Sequence, residues 1–458
     1  MCAFERSEKG MEFNMKKQTK IRIIVVLFII LMIFLIYTKI KNDNNKETIA
    51  AQQTETLFSS LDPSYTASIT KYIIYGTHLN IEGTINIPKI SGISIYSVDL
   101  ILKTVDGNEI NLDCSHDYKN SILSFSTINE INKGLDLESL SQSNYYLVLK
   151  IIYSNNDIKY YSLKNDSGYN NTTYYTLTKS SSNNKIDINF DSYNNISYTE
   201  ISVTPVAKLP DDVYDIVIDP GHGGSDTGAI NGSNTESSIA LQCAKILKQK
   251  LENSGYKVFM TRDGTESREE LTANSVYDEN GRVNTSQASH SKILISLHLN
   301  STTGTVKQGG VEVFSPSNCN LDFAKLLAKN IVETANTSYS IVDTYKKANG
   351  VYVRNFTNAD ILAFNAKAKK DNYEPYNITT STPYLYMIRE TGGIATNAFV
   401  DGRNPNYGTN KYYNSNVGIE SYLIELGYMV NDTDLQNIIN RKDLYMQGIT
   451  NAINSFYN

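Results

Sequence analysis

Asp215-Ile-Val-Ile-Asp-Pro-Gly-His-Gly-Gly224 is the stretch on which the reading of this chain turns. Ile216, Val217 and Ile218 form a β-branched run of the kind buried on both faces of a parallel sheet. Asp219-Pro220-Gly221 ends that strand and turns the backbone sharply. His222 is thereby delivered to the C-terminal mouth of a strand, where open α/β sheets place their ligands. A phosphate cradle is excluded, because neither P-loop spacing nor GxGxxG is present. Two downstream residues join the histidine. Glu236 opens a helical pattern, and His298 stands in Ser296-Leu-His-Leu-Asn300 at the end of the strand-like run Ile293-Leu-Ile295. Two imidazoles and a carboxylate on three elements make a zinc-type ligand set with a vacant fourth position.

Glu236 has a second reading, since Ser233-x-x-Glu236 also fits a helix capping box that needs no metal. A further carboxylate, Glu425, lies in the otherwise apolar Tyr422-Leu-Ile-Glu-Leu-Gly427. Burying it unpaired costs several kcal/mol, so it must meet a partner or line a cleft.

Asp219-Pro-Gly-His-Gly-Gly224, Glu236, Ser296-Leu-His-Leu-Asn300 and Ile424-Glu-Leu-Gly-Tyr428 together resemble the ordered motifs of the zinc-dependent N-acetylmuramoyl-L-alanine amidases of the amidase-3 type. These are bacterial cell-wall hydrolases, and the resemblance covers about 213–458. It implies one Zn²⁺ on His222, Glu236 and His298, with Glu425 as the catalytic carboxylate. It also implies peptidoglycan as substrate, cut between N-acetylmuramic acid and L-alanine of the stem peptide. Two rival readings remain open: a zinc peptidase that cuts another wall amide, and a non-catalytic wall-binding protein.

The 458 residues leave room for two or three domains. With a net charge of −6 and no basic cluster past the N-terminus, nucleic acid is not an expected partner. Cys2, Cys114, Cys243 and Cys319 are scattered without paired spacing, so neither a disulfide framework nor a thiolate site is expected. Ile23 to Tyr37 is an unbroken apolar run, preceded by Arg6, Lys9, Lys16, Lys17, Lys20 and Arg22. No small-x-small cleavage pattern follows it, which favours an uncleaved signal anchor over 23–38. The charge asymmetry puts 1–22 in the cytoplasm and everything after about 40 on the cell-wall side. A cleaved, secreted form is the alternative. Met15-Lys-Lys resembles a start site, so 1–14 are expected to be extraneous.

After a polar tether over 39–67, the texture from 68 to 203 is all-β. Runs such as Val98-Asp-Leu-Ile-Leu102 and Tyr146-Leu-Val-Leu-Lys-Ile-Ile-Tyr153 alternate with turn signals such as Asp106-Gly107, and a β-sandwich-like domain is expected. His78 and His116 stand alone there and are not expected to bind metal. The two prolines of Val203-Thr-Pro-Val-Ala-Lys-Leu-Pro210 mark the boundary. Beyond them helices (236–253, 282–290, 320–336, 434–456) alternate with strands (256–261, 293–299, 310–314, 421–426). That is the pattern of an α/β domain with a largely parallel sheet flanked by helices. The Tyr-, Asn- and Thr-rich stretch 340–416 interrupts it and is expected to form loops at the cleft. Glu312 is the rival of Glu425 as the acid–base carboxylate. His290 is expected at the surface and Arg282 and Asn284 in packing; Arg389 is a weaker candidate for meeting a stem-peptide carboxylate, with an ordinary exposed arginine as the alternative.

Overall fold

The computed structural model describes residues 55–180, 182–265, 281–302, 308–370, 378–392 and 416–457, together with Met32 and Lys39. The expected anchor at 23–38 therefore lies outside the described residues, Met32 apart. So do 371–377 and 393–415 of the expected insertion. Among the described residues no helix is long and apolar enough to cross a membrane. Residues 55–59, in the stretch expected to be a tether, are helical.

Among the described residues of the C-terminal half, seven strands form one sheet. They are β1 (Ile216–Pro220), β2 (Val258–Met260), β3 (Ile293–Asn300), β4 (Glu312–Phe314), β5 (Lys346–Ala348), β6 (Val351–Tyr352) and β7 (Glu420–Tyr428), in the order β2-β1-β3-β7-β4-β6-β5. The first four in that order are mutually parallel. β4 then pairs antiparallel with β7, and β5 antiparallel with β6, so the sheet is mixed rather than largely parallel. Its parallel part carries the site.

Alternation along the central strands divides the two faces. Ile216, Ile218, Ile293, Ile295 and Leu297 pack under α1 (Glu236–Asn253), α3 (Asp322–Ala335) and α6 (Asp432–Phe456). Val217 and Leu294 point the other way and meet Val283 of α2 (Arg282–Ala288) and Met387 of α5 (Tyr386–Thr391). The described part of the expected insertion is not loop alone. It supplies β5, β6, α4 (Asn358–Lys370) and α5.

Residues 66–205 are β apart from two short 3₁₀ turns (Ile131–Lys133 and Leu137–Ser139), around a second core that includes Ile69, Tyr72, Leu100, Leu149 and Ile201. Their strands belong to one hydrogen-bonded network rather than two separate sheets. The ten-residue strand Asn144–Tyr153 explains this, because it is long enough to change partners along one edge. Its start pairs with Thr199–Ser202 and its end with Ile158–Ser162, while Ile95–Thr104 runs along the other edge.

This β region and the α/β sheet share a buried seam. Val417 and Gly418, just before β7, pair in parallel with Ile74 and Tyr75, and the Ser421 amide donates to the Tyr75 hydroxyl at 3.3 Å. Glu420 is fully buried and accepts from Asn132 Nδ2 at 3.0 Å and from the Tyr422 hydroxyl. Asn132 also receives the Asn320 amide at 2.6 Å and donates to the Asn320 carbonyl at 3.1 Å. At the opposite edge Asp215 takes the Thr178 amide at 2.8 Å and that of Lys257 at 2.7 Å.

Removing the Asn132 side chain deletes three hydrogen bonds of this seam and leaves Glu420 with the tyrosine hydroxyls alone, at a cost of about 1–3 kcal/mol. Asn132→Ala should therefore lower the unfolding temperature of the β and α/β parts together, as one calorimetric transition. Two separated transitions, with only one displaced, would show that the seam does not couple them.

Candidate metal centre

β1 stops at Pro220, and after Gly221 three successive residues take positive φ: +56° at His222, +122° at Gly223 and +57° at Gly224. This turn swings the His222 ring over the sheet end, toward β3. Gly221 must lack a side chain, because a Cβ there would stand 2.3 Å from the His298 ring. Gly228 repeats the requirement, since its Cβ would lie 2.6 Å from Glu236 Oε2.

The two readings of Glu236 now separate. Thr235, not Ser233, caps α1, its side chain accepting from the Ser238 amide. The Glu236 carboxylate turns inward instead. Oε1 lies 3.1 Å from His222 Nε2, 3.0 Å from His298 Nδ1 and 3.0 Å from the Leu299 amide, while Oε2 takes the Ala229 amide at 3.0 Å. Its place in the first turn of α1 adds the favourable end of the helix dipole. Burial alone would raise the carboxyl, but the hydrogen bonds from both imidazoles outweigh it and hold Glu236 below the usual range.

The ligand atoms of His222, Glu236 and His298 all lie within 4.8 Å of one another. Tetrahedral zinc with bonds of about 2.0–2.1 Å needs ligand–ligand edges of roughly 3.3 Å. Both measured edges to Glu236 Oε1 come close to that, so the donor set fits a divalent cation. Ligands bind a metal only when deprotonated, so uptake here would release protons.

Asp226 completes the His222 side. Its Oδ2 is 2.8 Å from His222 Nδ1, which leaves Nε2 for the centre. A carboxylate on the far nitrogen fixes the ring orientation and makes it a better ligand. The sequence reading passed over Asp226; its signal was a carboxylate four residues after the histidine in the same turn.

Glu425 is in register with His298 on β3 and with Glu312 on β4. Registered residues on neighbouring strands share a face at about 4.8 Å. The two carboxylates differ in their partners. Glu312 accepts from Asn300 Nδ2 at 3.0 Å, from Ser340 Oγ at 2.6 Å and from the Tyr428 hydroxyl at 2.5 Å. Glu425 Oε2 is buried without a hydrogen-bond partner among the described residues. Burial, then the charges of Glu236 and Glu312, push the Glu425 carboxyl well above its usual range. A cation at the centre would act in the opposite direction.

The remaining expectations fall away from this cluster. His290 is an exposed turn residue. The Arg389 side chain is 10% exposed and donates to the Tyr384 carbonyl, beside Glu390. Arg282 does more than pack, since it bonds Asp219 and the His222 carbonyl.

Residues 216–455 match the protein family described as N-acetylmuramoyl-L-alanine amidase. The amidase AmiC of Neisseria meningitidis serogroup B is 34% identical over 115 residues, 24% of this chain and 25% of that protein. The amidase AmiA of Escherichia coli K12 is 35% identical over 134 residues, 29% of this chain and 42% of that protein. The chain thus spans less than half the length of these two curated relatives. Among solved structures, the amidase AmiC2 of Nostoc punctiforme is similar at 20% identity with a TM-score of 0.34, over 54% of this chain and 97% of that one.

The Asp226 side chain is 66% exposed, so removing its charge should cost little stability. Asp226→Asn should nonetheless weaken Zn²⁺ binding about 10–100-fold in a chelator competition, the usual worth of such a partner. Unchanged affinity would make the contact incidental.

Proposed function

The chain belongs to the N-acetylmuramoyl-L-alanine amidase family, and on that premise we propose that it hydrolyses the amide between N-acetylmuramic acid and L-alanine of the peptidoglycan stem peptide. In this reading His222, Glu236 and His298 hold one Zn²⁺ and Glu425 is the acid–base residue. The observation that carries it is the convergence of three ligand atoms near Glu425, whose buried Oε2 has no hydrogen-bond partner among the described residues.

Zinc bound there would activate water near neutral pH and polarise the scissile carbonyl. The protein's own part is positioning and proton transfer. Glu425, in register with His298, takes a proton from the attacking water and gives it to the departing alanine amine as the C–N bond breaks. The products are a free lactyl carboxylate on the glycan and a peptide with a new N-terminal L-alanine. Glu312 is the weaker choice, because three donors already occupy its oxygens. Its neighbouring charge instead favours the protonated form of Glu425.

We also propose that 23–38 anchors the chain in the membrane, with 60–458 on the wall side. The support is the apolar run and the positive charge before it. Protease added to intact, wall-stripped cells should then degrade the amidase part. Full protection, or a soluble form starting near Ala51, would reject the anchor.

Purified chain given intact peptidoglycan should release new N-terminal L-alanine. Other new ends would mean a peptidase, and none a wall-binding protein. His298→Ala should lose metal and activity together. Glu425→Gln should keep its zinc yet lose about 10²–10⁴-fold in turnover, the worth of a positioned general base. A larger loss in Glu312→Gln than in Glu425→Gln would move the base to Glu312.

A further inference from the structure

We propose that Arg262 and Arg282 are positioning residues that set the geometry of the metal centre, acting through the backbone that carries His222 and Glu236. The inference rests on the metal reading above and concerns residues that touch neither metal nor substrate.

The two guanidiniums reach the same turn from different elements. Arg262 stands two residues beyond the end of β2, and Arg282 is the first residue of α2. Both are buried, at 5% and 7% exposure. Pro220 O receives Arg262 Nε at 2.9 Å and an Arg282 terminal nitrogen at 2.7 Å. Gly221 O receives Arg262 at 2.9 Å, and His222 O receives Arg282. Three successive carbonyls of the His222 turn thus end on guanidinium donors. The turn needs such support, because His222 is held at a left-handed φ that L-residues rarely adopt.

Each arginine also ties the turn to another ligand's element. Arg262 donates at 2.7 Å to the carbonyl of Ser237, the residue after Glu236, and so spans the gap between the His222 turn and the start of α1. Arg282 pairs at 2.8 Å with Asp219, which accepts Ser296 Oγ at 2.7 Å, two residues before His298. Asp219 also takes Thr261 Oγ1 at 2.6 Å, from the neighbour of Arg262. The Arg262 fork thus spans His222–Glu236 directly, while His222–His298 is linked through Asp219 and Ser296 to the Arg282 fork. Lysine cannot replace it, since a point charge does not present several fixed donors to several carbonyls at once.

Arg262→Lys and Arg282→Lys keep the charge and remove the fork. For each, the dissociation constant for Zn²⁺ would be measured by chelator competition, and the melting temperature with and without zinc. Positioning predicts zinc affinity about 10–100-fold weaker, as for other groups that orient ligands. The zinc-induced rise in melting temperature should shrink with it. A purely structural role would lower the metal-free melting temperature but leave affinity within about twofold of the parent, and that result overturns the proposal. If a lysine variant does not fold, Ser296→Ala cuts the Asp219 link more gently and should still weaken zinc about tenfold; unchanged affinity there counts against it. A parent chain that binds no zinc would sink the metal reading itself, a different outcome from equal affinities in parent and variants.

Discussion

One carboxylate oxygen, Glu236 Oε1, stands within 3.1 Å of a nitrogen from each of two histidines, and much of the α/β domain serves to put it there. The three residues come from a turn after β1, the first turn of α1 and the end of β3. Parallel pairing of β1 with β3 brings two of these ends to the same edge of the sheet. Packing of α1 against that sheet brings the third. Close approach is then limited by side-chain volume, which is why glycines stand at 221 and 228. Beneath them lies the buried pair of Arg282 and Asp219. Burial by itself would raise the Asp219 carboxyl; Arg282, Thr261 and Ser296 hold it below its usual range. Breaking such a pair from one side costs about 3–5 kcal/mol, so the support under the site is also part of the core.

Glu312 and Glu425 show how environment sets like groups apart. They face each other across an antiparallel register, yet one is saturated by hydroxyl and amide donors and the other is not. A carboxylate fixed by three donors has few acceptor sites left to exchange protons with a substrate. One raised by burial and by its neighbours holds a proton more readily and can pass it on. The sequence showed two strand-borne carboxylates but not which of them was saturated, because Ser340 and Tyr428 are remote from Glu312 in the chain.

What was legible in the sequence was local. The run Ile216–Ile218, the turn at 219–224 and the amphipathic pattern of α1 and α3 each sit within a few residues, and the structure has them where periodicity put them. The illegible parts were non-local or too short to carry a period. β5 and β6 have three and two residues, so the edge they add within 340–416 left no alternation to read. The antiparallel entry of β4 beside β7 depends on pairing across more than a hundred residues. Thr235 rather than Ser233 caps α1, because a short hairpin, Ile230–Asn231 with Asn234–Thr235, places Thr235 at the helix start. Arg262 followed an expected strand and looked like any flanking charge; its role emerges only when three carbonyls from two other elements surround it.

The seam with the β region bears on how the sheet tolerates the long stretch before β7. Connection length costs entropy that grows only slowly, so the distance in sequence between β4 and β7 is a minor thermodynamic burden. Loose ends are the greater hazard, since a strand fed by a long connection can slip in register, and a slip of one residue would turn Glu425 to the wrong face. Here the entry to β7 is pinned before the strand begins. Val417 and Gly418 are paired to Ile74 and Tyr75, and Glu420 is bonded to Asn132. From Glu420 to Glu425 the strand is continuous and in register with β3 throughout. The β region thus acts on the site at a distance. By fixing where β7 enters the sheet, it fixes which side chain of β7 stands beside His298.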